Sequence, residues 1–397
     1  MTATTSRTIG KNGMTAIADA VRSVIGVSGN VALHEPEFAG SEWKYVKECL
    51  DSGWVSSVGK FVDRFEAELA NFTGARHAIA VVNGTAALHL CLQLAGVERG
   101  DEVFVPTLTF IATANAVSYC GAIPHFCDVD EATMGLDAAK FESYLSEIAE
   151  IRNNQSFNRE TGARLRAVVP MHTFGHPANM DALLDVANRF GLLIVEDAAE
   201  SLGSLYRGRH TGTMGQLGAL SFNGNKIVTT GGGGAILTND DSLALAARHL
   251  STTARVAHKW SFLHDAIGYN YRMPNVNAAI GVAQLEQLEG FVEKKRALAE
   301  AYGRAFEPIS GVSFFSEQPL SRSNYWLNSI LLDDERISER DALLETLNNE
   351  GLMARPAWAL MHCLPMYRHC PRMDLSTAES IERRLVNLPS SARLGQQ

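Results

Sequence analysis

The stretch Ser221-Phe222-Asn223-Gly224-Asn225-Lys226-Ile227-Val228-Thr229-Thr230, followed by four glycines at 231 to 234, sets one lysine between a turn rich in hydroxyls and amides and a loop almost without side chains. Such a lysine reads more readily as a nucleophile than as a solvated surface charge. Amine chemistry near neutral pH needs a lysine partly withdrawn from water, so that neutral amine is available, and backbone that can approach a planar cofactor, which glycine permits. Lys226 is therefore a Schiff-base candidate. A lysine beside glycines is ordinarily a loop residue, so the stretch gains its meaning from the segments upstream of it.

His77-Ala78-Ile79-Ala80-Val81-Val82 reads as a short buried strand, Asn83-Gly84-Thr85 as a turn and Ala86 to Ala95 as an apolar helix. Free N–H groups at the helix start, its dipole and the Thr85 hydroxyl together suit a phosphate dianion, although a βα turn capped by threonine is the plainer reading. Leu192-Leu193-Ile194-Val195-Glu196-Asp197 is an apolar strand ending in adjacent acids. A carboxylate at the C-terminal end of a central parallel strand faces the crevice where open α/β sheets bind ligands. In a pyridoxal 5'-phosphate (PLP) enzyme such a carboxylate keeps the pyridine nitrogen protonated, so that the ring acts as an electron sink. A phosphate turn, a strand-end Asp197, then Ser221 and Lys226 before glycines is far more specific in that order than any member alone.

With these motifs the chain resembles the DegT/DnrJ family of sugar-nucleotide aminotransferases, fold-type-I PLP enzymes, from about His34 to Ser391. The matching runs are Asn83-Gly84-Thr85-Ala86-Ala87-Leu88-His89, Pro106-Thr107-Leu108-Thr109-Phe110-Ile111-Ala112-Thr113-Ala114-Asn115, Glu196-Asp197-Ala198-Ala199, Ser221 to Lys226, and Gly268-Tyr269-Asn270-Tyr271-Arg272-Met273. The resemblance implies that Lys226 carries the cofactor, that Asp197 partners its ring nitrogen, that Phe110 stacks on the ring, and that Gly84, Thr85 and Ser221 hold its phosphate. It also implies that Asn270 reaches the phosphate bound in a neighbouring subunit, which makes the expected protein a homodimer with shared active sites. Glu200 stands where many relatives carry Gln or His near the ring hydroxyl. A carboxylate beside a phenolate is repulsive unless one of them is protonated, so its role departs from the family pattern.

Composition agrees. A chain of 397 residues, 46% hydrophobic and 20% charged, has the makings of a globular protein of two domains. A net charge of −9 argues against a surface built mainly for nucleic acid or anionic lipid. The six cysteines form no C-x2-C pair and read as reduced core residues rather than disulfides or a metal site. No apolar run approaches the roughly 18 residues of a membrane span, and a signal-type segment is lacking, so a cytoplasmic protein is expected.

Between Glu42 and Asp240 apolar strands alternate with helical patterns, which implies an α/β fold with a mostly parallel sheet covered by helices. The expected organisation is an N-terminal extension over 1–30 with an amphipathic helix from Met14 to Ile25, a large PLP-binding domain over 31–270, and a linking helix with a smaller C-terminal α+β domain over 271–397. One long helix is expected from Val276 past Arg304, and the polar run 153–164 reads as a surface insertion.

His172-Thr173-Phe174-Gly175-His176 has an H-x3-H spacing, but Gly175 and Pro177 oppose the helix that would put both rings on one metal, and no metal site is expected. His172 at a strand end reads equally as a substrate contact or as a buried, hydrogen-bonded histidine. Lys60 and Arg355 are candidate diphosphate contacts, the latter near Trp358 in a cation–aromatic cluster; a solvated loop and a folded domain edge are the plainer alternatives. His34-Glu35-Pro36, the segment Trp54 to Asp63 and the tail from Arg355 to Ser391 are similar to the LegC-type branch of the family. That likeness implies amination at C4 of UDP-4-keto-6-deoxy-N-acetylglucosamine, with glutamate as donor, on routes to bacillosamine or legionaminic acid. A PLP-binding regulator that senses amines without turnover is the alternative, opposed by the acidic charge and the lack of a separate DNA-binding segment. A deoxysugar dehydratase of the same fold is a further one, opposed by the presence of Lys226, which such relatives replace with histidine.

Overall fold

Short β-branched and apolar runs, too brief for helices and bounded by glycines and acids, become strands buried on both faces, and the longer amphipathic segments between them become the covering helices. The computed structural model describes residues 11–395 apart from residue 154. Its main sheet runs in the order His77–Val81, Gly234–Thr238, Leu217–Ser221, Leu193–Asp197, Arg164–Val168, Glu102–Pro106, Ile123–Cys127. All of these strands point the same way except Gly234–Thr238, which is antiparallel to both neighbours.

That single antiparallel strand positions the site. Gly234 pairs with Val81 on one side and with Ser221 on the other, so the turn after Val81 lands beside the end of the strand Leu217–Ser221. The parallel neighbour then puts Asp197 opposite Ala219, two residues before Ser221. The polar run 153–164 is not a plain surface loop. Ala149–Arg152 and Gln155–Asn158 form an antiparallel hairpin that extends the sheet against Arg164–Val168, because buried Asn158 anchors it by donating to Glu102 Oε2 at 2.9 Å.

The expected long helix is two helices, Asn275–Leu285 and Leu288–Phe306. Tertiary contacts mark the break: the side-chain amides of Gln284 and Gln287 donate to the same oxygen of Glu42, at 2.7 and 2.9 Å. The first helix packs through Ala278, Ala279 and Val282 against Phe61 and Phe65. The second packs beside a separate four-stranded sheet built from Val312–Phe314, Asn328–Leu332, Leu385–Leu388 and Arg355–Pro356. The N-terminal helix, Lys11–Ile25, joins that same core through Ile17, Ala18, Val21 and Ile25 against Leu298 and Tyr302. Among the described residues no helix is long and apolar enough to cross a membrane.

Candidate active site

A cleft of about 300 Å³ opens at the C-terminal ends of the central strands, lined by Asn83, Gly84, Thr85 and Ser221, by the buried acids Asp197 and Glu200, by Lys226, Trp326 and Trp358, and by the exposed Phe110. The helix Gly84–Leu94 begins there. Its N-cap Asn83 accepts from the backbone N–H of Ala86 at 2.8 Å, while the N–H groups of Gly84 and Thr85, in the first turn, have no carbonyl within the helix to reach. Gly84 lies so close to the strand end that an added Cβ would stand 2.8 Å from Ser221 Cβ. Only glycine allows the Ser221 hydroxyl and the helix N-terminus to meet, and the result is a cradle for an anion.

The adjacent acids Glu196 and Asp197 do different work because strand side chains alternate between faces. Glu196 is fully buried and saturated: Gly212, Met214 and Gly215 donate backbone N–H groups at 2.7, 2.6 and 2.6 Å, and His172 Nε2 lies 3.0 Å away. Burial opposes its charge, yet these donors hold its carboxyl below the ordinary range. Asp197 lines the cleft. It accepts from the Thr113 hydroxyl at 2.7 Å and from the Ala199 N–H at 3.2 Å, and burial pushes its carboxyl upward against the pull of Lys226.

Lys226 Nζ sits 3.2 Å from Glu200 Oε1 and 3.9 Å from the centre of the Trp326 ring. Its side chain is 12% exposed, withdrawn from bulk water but open to the cleft. Glu200 uses its other oxygen to accept the backbone N–H of Phe174 at 2.9 Å, and burial drives its carboxyl up to about 7. Phe174 is itself unusual: a buried, non-glycine residue in the left-handed region (φ 55°, ψ 17°), its ring 4.8 Å from that of Trp358.

The structure thus brings Gly84, Thr85, Phe110, Asp197, Glu200, Ser221 and Lys226 into one cleft. It does not bring the other candidates there. His172 is fully buried between Glu196 and the N–H of Ala178, which donates to its Nδ1 at 3.1 Å, so it is the hydrogen-bonded core histidine and not a substrate contact of this cleft. Lys60 is exposed, pairs with Glu48, and lines a separate cavity with Trp54 and Asn275. Arg355 is exposed and donates to Asn348 Oδ1 at 3.1 Å, outside the cleft of its own chain. Asn270 is likewise exposed and outside it. Sequence reasoning gave no role to Thr113, although it stands three positions past Phe110 on the helix that starts there, nor to Trp326, whose place follows from its packing with Phe315, Leu327 and Leu331.

Residues 36–397 match the DegT/DnrJ/EryC1/StrS aminotransferase family. The chain belongs to that family. Among its relatives, the GDP-perosamine synthase of Caulobacter vibrioides is 39% identical over 92% of this chain and 94% of its own length. The solved structure of DesV from S. venezuelae is 32% identical, covers 89% of this chain and 90% of its own, and superposes with a TM-score of 0.79. The aminotransferase TlmJ from Streptoalloteichus hindustanus is 30% identical over 91% and 94%, with a TM-score of 0.82. This member of the family is accordingly a PLP-dependent sugar aminotransferase, and the cleft fits the cofactor. The Gly84–Thr85–Ser221 cradle suits its phosphate, Asp197 its ring nitrogen, and Lys226 its aldehyde carbon.

Proposed function

We propose that this aminotransferase converts a 4-keto-6-deoxy sugar carried on a nucleoside diphosphate into the amino sugar, with UDP-4-keto-6-deoxy-N-acetylglucosamine as acceptor and glutamate as donor. The observation that carries the reading is a cleft that joins a phosphate cradle and Lys226 to the aromatic rings of Trp326 and Trp358, suited to the weakly polar face of a deoxy sugar beside a cofactor ring stacked on Phe110. The LegC-like segments supply the choice of sugar. Bound in the cleft, PLP supplies the electron sink that lets an amino group and a proton change places. Lys226 holds the cofactor and, once freed, moves a proton at Nζ as base and then acid. Asp197, fixed by Thr113, supplies the negative charge that a protonated ring nitrogen needs.

A second reading is a GDP-linked acceptor, favoured by relatives named GDP-perosamine synthase from three bacteria at 36 to 39% identity. One experiment separates them: the enzyme with glutamate is offered UDP-, GDP- and dTDP-linked 4-keto-6-deoxy sugars, and products are identified by mass and NMR. Preference for a sugar without the 2-acetamido group would remove the UDP-N-acetyl reading and leave the aminotransferase standing. We further propose a homodimer with shared sites, supported by exposed Asn270 lying next to a run that leaves Trp260, Phe262 and Ile267 open to solvent. Mixed dimers of Lys226→Ala and Asn270→Ala chains should then recover activity; no recovery despite proven subunit exchange would count against it. A cytoplasmic location accords with six free cysteines.

A further inference from the structure

Any lysine that bonds to a carbonyl carbon must first surrender a proton from its ammonium and later take one back, and the cleft offers little to receive it. One side of Nζ is covered by the face of Trp326, which has no acceptor to give. Asp197 acts on Lys226 through its charge, while its oxygens accept from Thr113 and Ala199. Glu200 is different. Its Oε1 is the acceptor that Lys226 Nζ reaches, at 3.2 Å, and its Oε2 is fixed by the Phe174 N–H. The left-handed backbone at Phe174 points that N–H at the carboxylate, and the conformation is held by a buried ring against Trp358 and by its carbonyl accepting from Leu327 N–H at 3.3 Å. A carboxylate anchored at one oxygen presents the other in a constant place.

We propose that Glu200 is a further catalytic residue, the group that takes the proton from Lys226 Nζ and returns it. The step is balanced within the chain: an N–H bond of the ammonium breaks, an O–H bond forms on Oε1, and the ion pair becomes a neutral amine beside a neutral acid. No charge crosses the cleft, which matters beside a carboxyl as buried as that of Glu200. The groups facing Glu200 agree. Burial raises its affinity for a proton to the neutral range and Asp197 adds to the rise, while Lys226 and the Phe174 N–H oppose it, so that Glu200 can both take and return a proton near neutral pH. Phe174 is a positioning residue in this arrangement.

The inference rests on Lys226 being the reacting amine, and the test separates the two. Borohydride reduction of the holoenzyme, followed by peptide mapping, identifies the lysine; label on another lysine overturns both. With Lys226 confirmed, Glu200→Gln and Glu200→Asp holoenzymes are compared with the parent in two ways. The glutamate half-reaction, followed as the change in cofactor absorbance, should slow about 10- to 100-fold in Glu200→Gln and recover in part in Glu200→Asp. The pH midpoint of the resting cofactor absorbance should fall by about one unit in Glu200→Gln, because a negative neighbour of the linking nitrogen is gone. A merely supporting side chain would not move that midpoint. Rates within about twofold of the parent, or a loss with the midpoint and pH profile unchanged, would overturn the proposal. Should Glu200→Gln fail to fold, Glu200→Asp alone decides by the same two readouts.

Discussion

Among the described residues two lysines, Lys226 and Lys295, are largely withdrawn from water, and their surroundings differ. Lys295, on the helix Leu288–Phe306, is fully buried, donates to the carbonyls of Trp326 and Ser390, and is driven down to about 7 by burial alone. Lys226 keeps 12% of its side chain open to the cleft and has a carboxylate at 3.2 Å. Withdrawal from water is therefore not what marks the lysine proposed to react. Lys295 is the more deeply buried and is held by two backbone carbonyls, whereas Lys226 lines a cleft with a carboxylate and an anion cradle. The two are also linked, since the residue whose carbonyl holds Lys295 is the one whose ring lies against Lys226.

The comparison breaks most sharply if the wrong lysine is essential. Lys226→Ala should reduce transamination by roughly 10⁴-fold, because both the covalent attachment and the proton carrier are lost, while Lys295→Met should stay within about tenfold of the parent through a small shift of Trp326. Steady-state rates on the folded proteins, checked by circular dichroism, decide it. Equal losses would mean that burial, not the cleft, makes the amine. Asp197→Asn comes next. It should retain PLP, whose phosphate is held elsewhere, yet lose roughly 10²- to 10³-fold in turnover, since an amide cannot stabilise a protonated ring nitrogen. Near-parental turnover would remove Asp197 from the mechanism.

The contrast also explains what could be read in the chain. Lys226 was legible because its neighbours are local: Ser221 five positions before it and glycines from 231 onward lie in the same stretch, and Asp197 ends a strand that hydrophobicity alone defines. The parallel sheet was legible for the same reason. The environment of Lys295 was not, because Glu293-Lys294-Lys295-Arg296 reads as a solvated helix face, and only the return of Ser390 and Trp326 from far along the chain buries one of its charges. The break between Leu285 and Leu288 is of the same kind, fixed by Glu42 some 240 positions away. His172 sat at a strand end like Asp197, and pattern could not tell which faced the cleft and which faced Glu196. The left-handed Phe174 was hidden for a further reason: its own side chain argues against that conformation, which tertiary packing imposes.

Lys295 should reveal itself through the pH dependence of stability rather than through rate. Its folded value is depressed from 10.5 to about 7, so between these limits the unfolded chain holds a proton that the native state has released, and native stability rises with pH. Below about 7 both states are charged and the burial cost is constant. Measured by urea unfolding, the stability of the parent relative to Lys295→Met should increase by about 3 kcal/mol from about pH 7 to about pH 9.5. A flat difference would show that Lys295 stays charged inside the protein.

A third lysine supplies the smallest effect and sharpens the contrast from the other side. Lys60 is charged and exposed, with its side chain 66% open and its partner Glu48 46% open. Two solvated groups gain little from meeting, since each trades water for the other and loses side-chain freedom in doing so. Lys60→Ala should therefore change stability by no more than about 0.5 kcal/mol, and less still in high salt. Its cavity, shared with Trp54 and Asn275, is separate from the cleft of the same chain, so kcat/KM for the sugar nucleotide should stay within about twofold. A loss of tenfold or more, confined to the sugar half-reaction and relieved by salt, would mean that a second copy of the chain brings Lys60 to the diphosphate. The same measurement on a mixed dimer carrying one altered chain would then show whose cleft it serves.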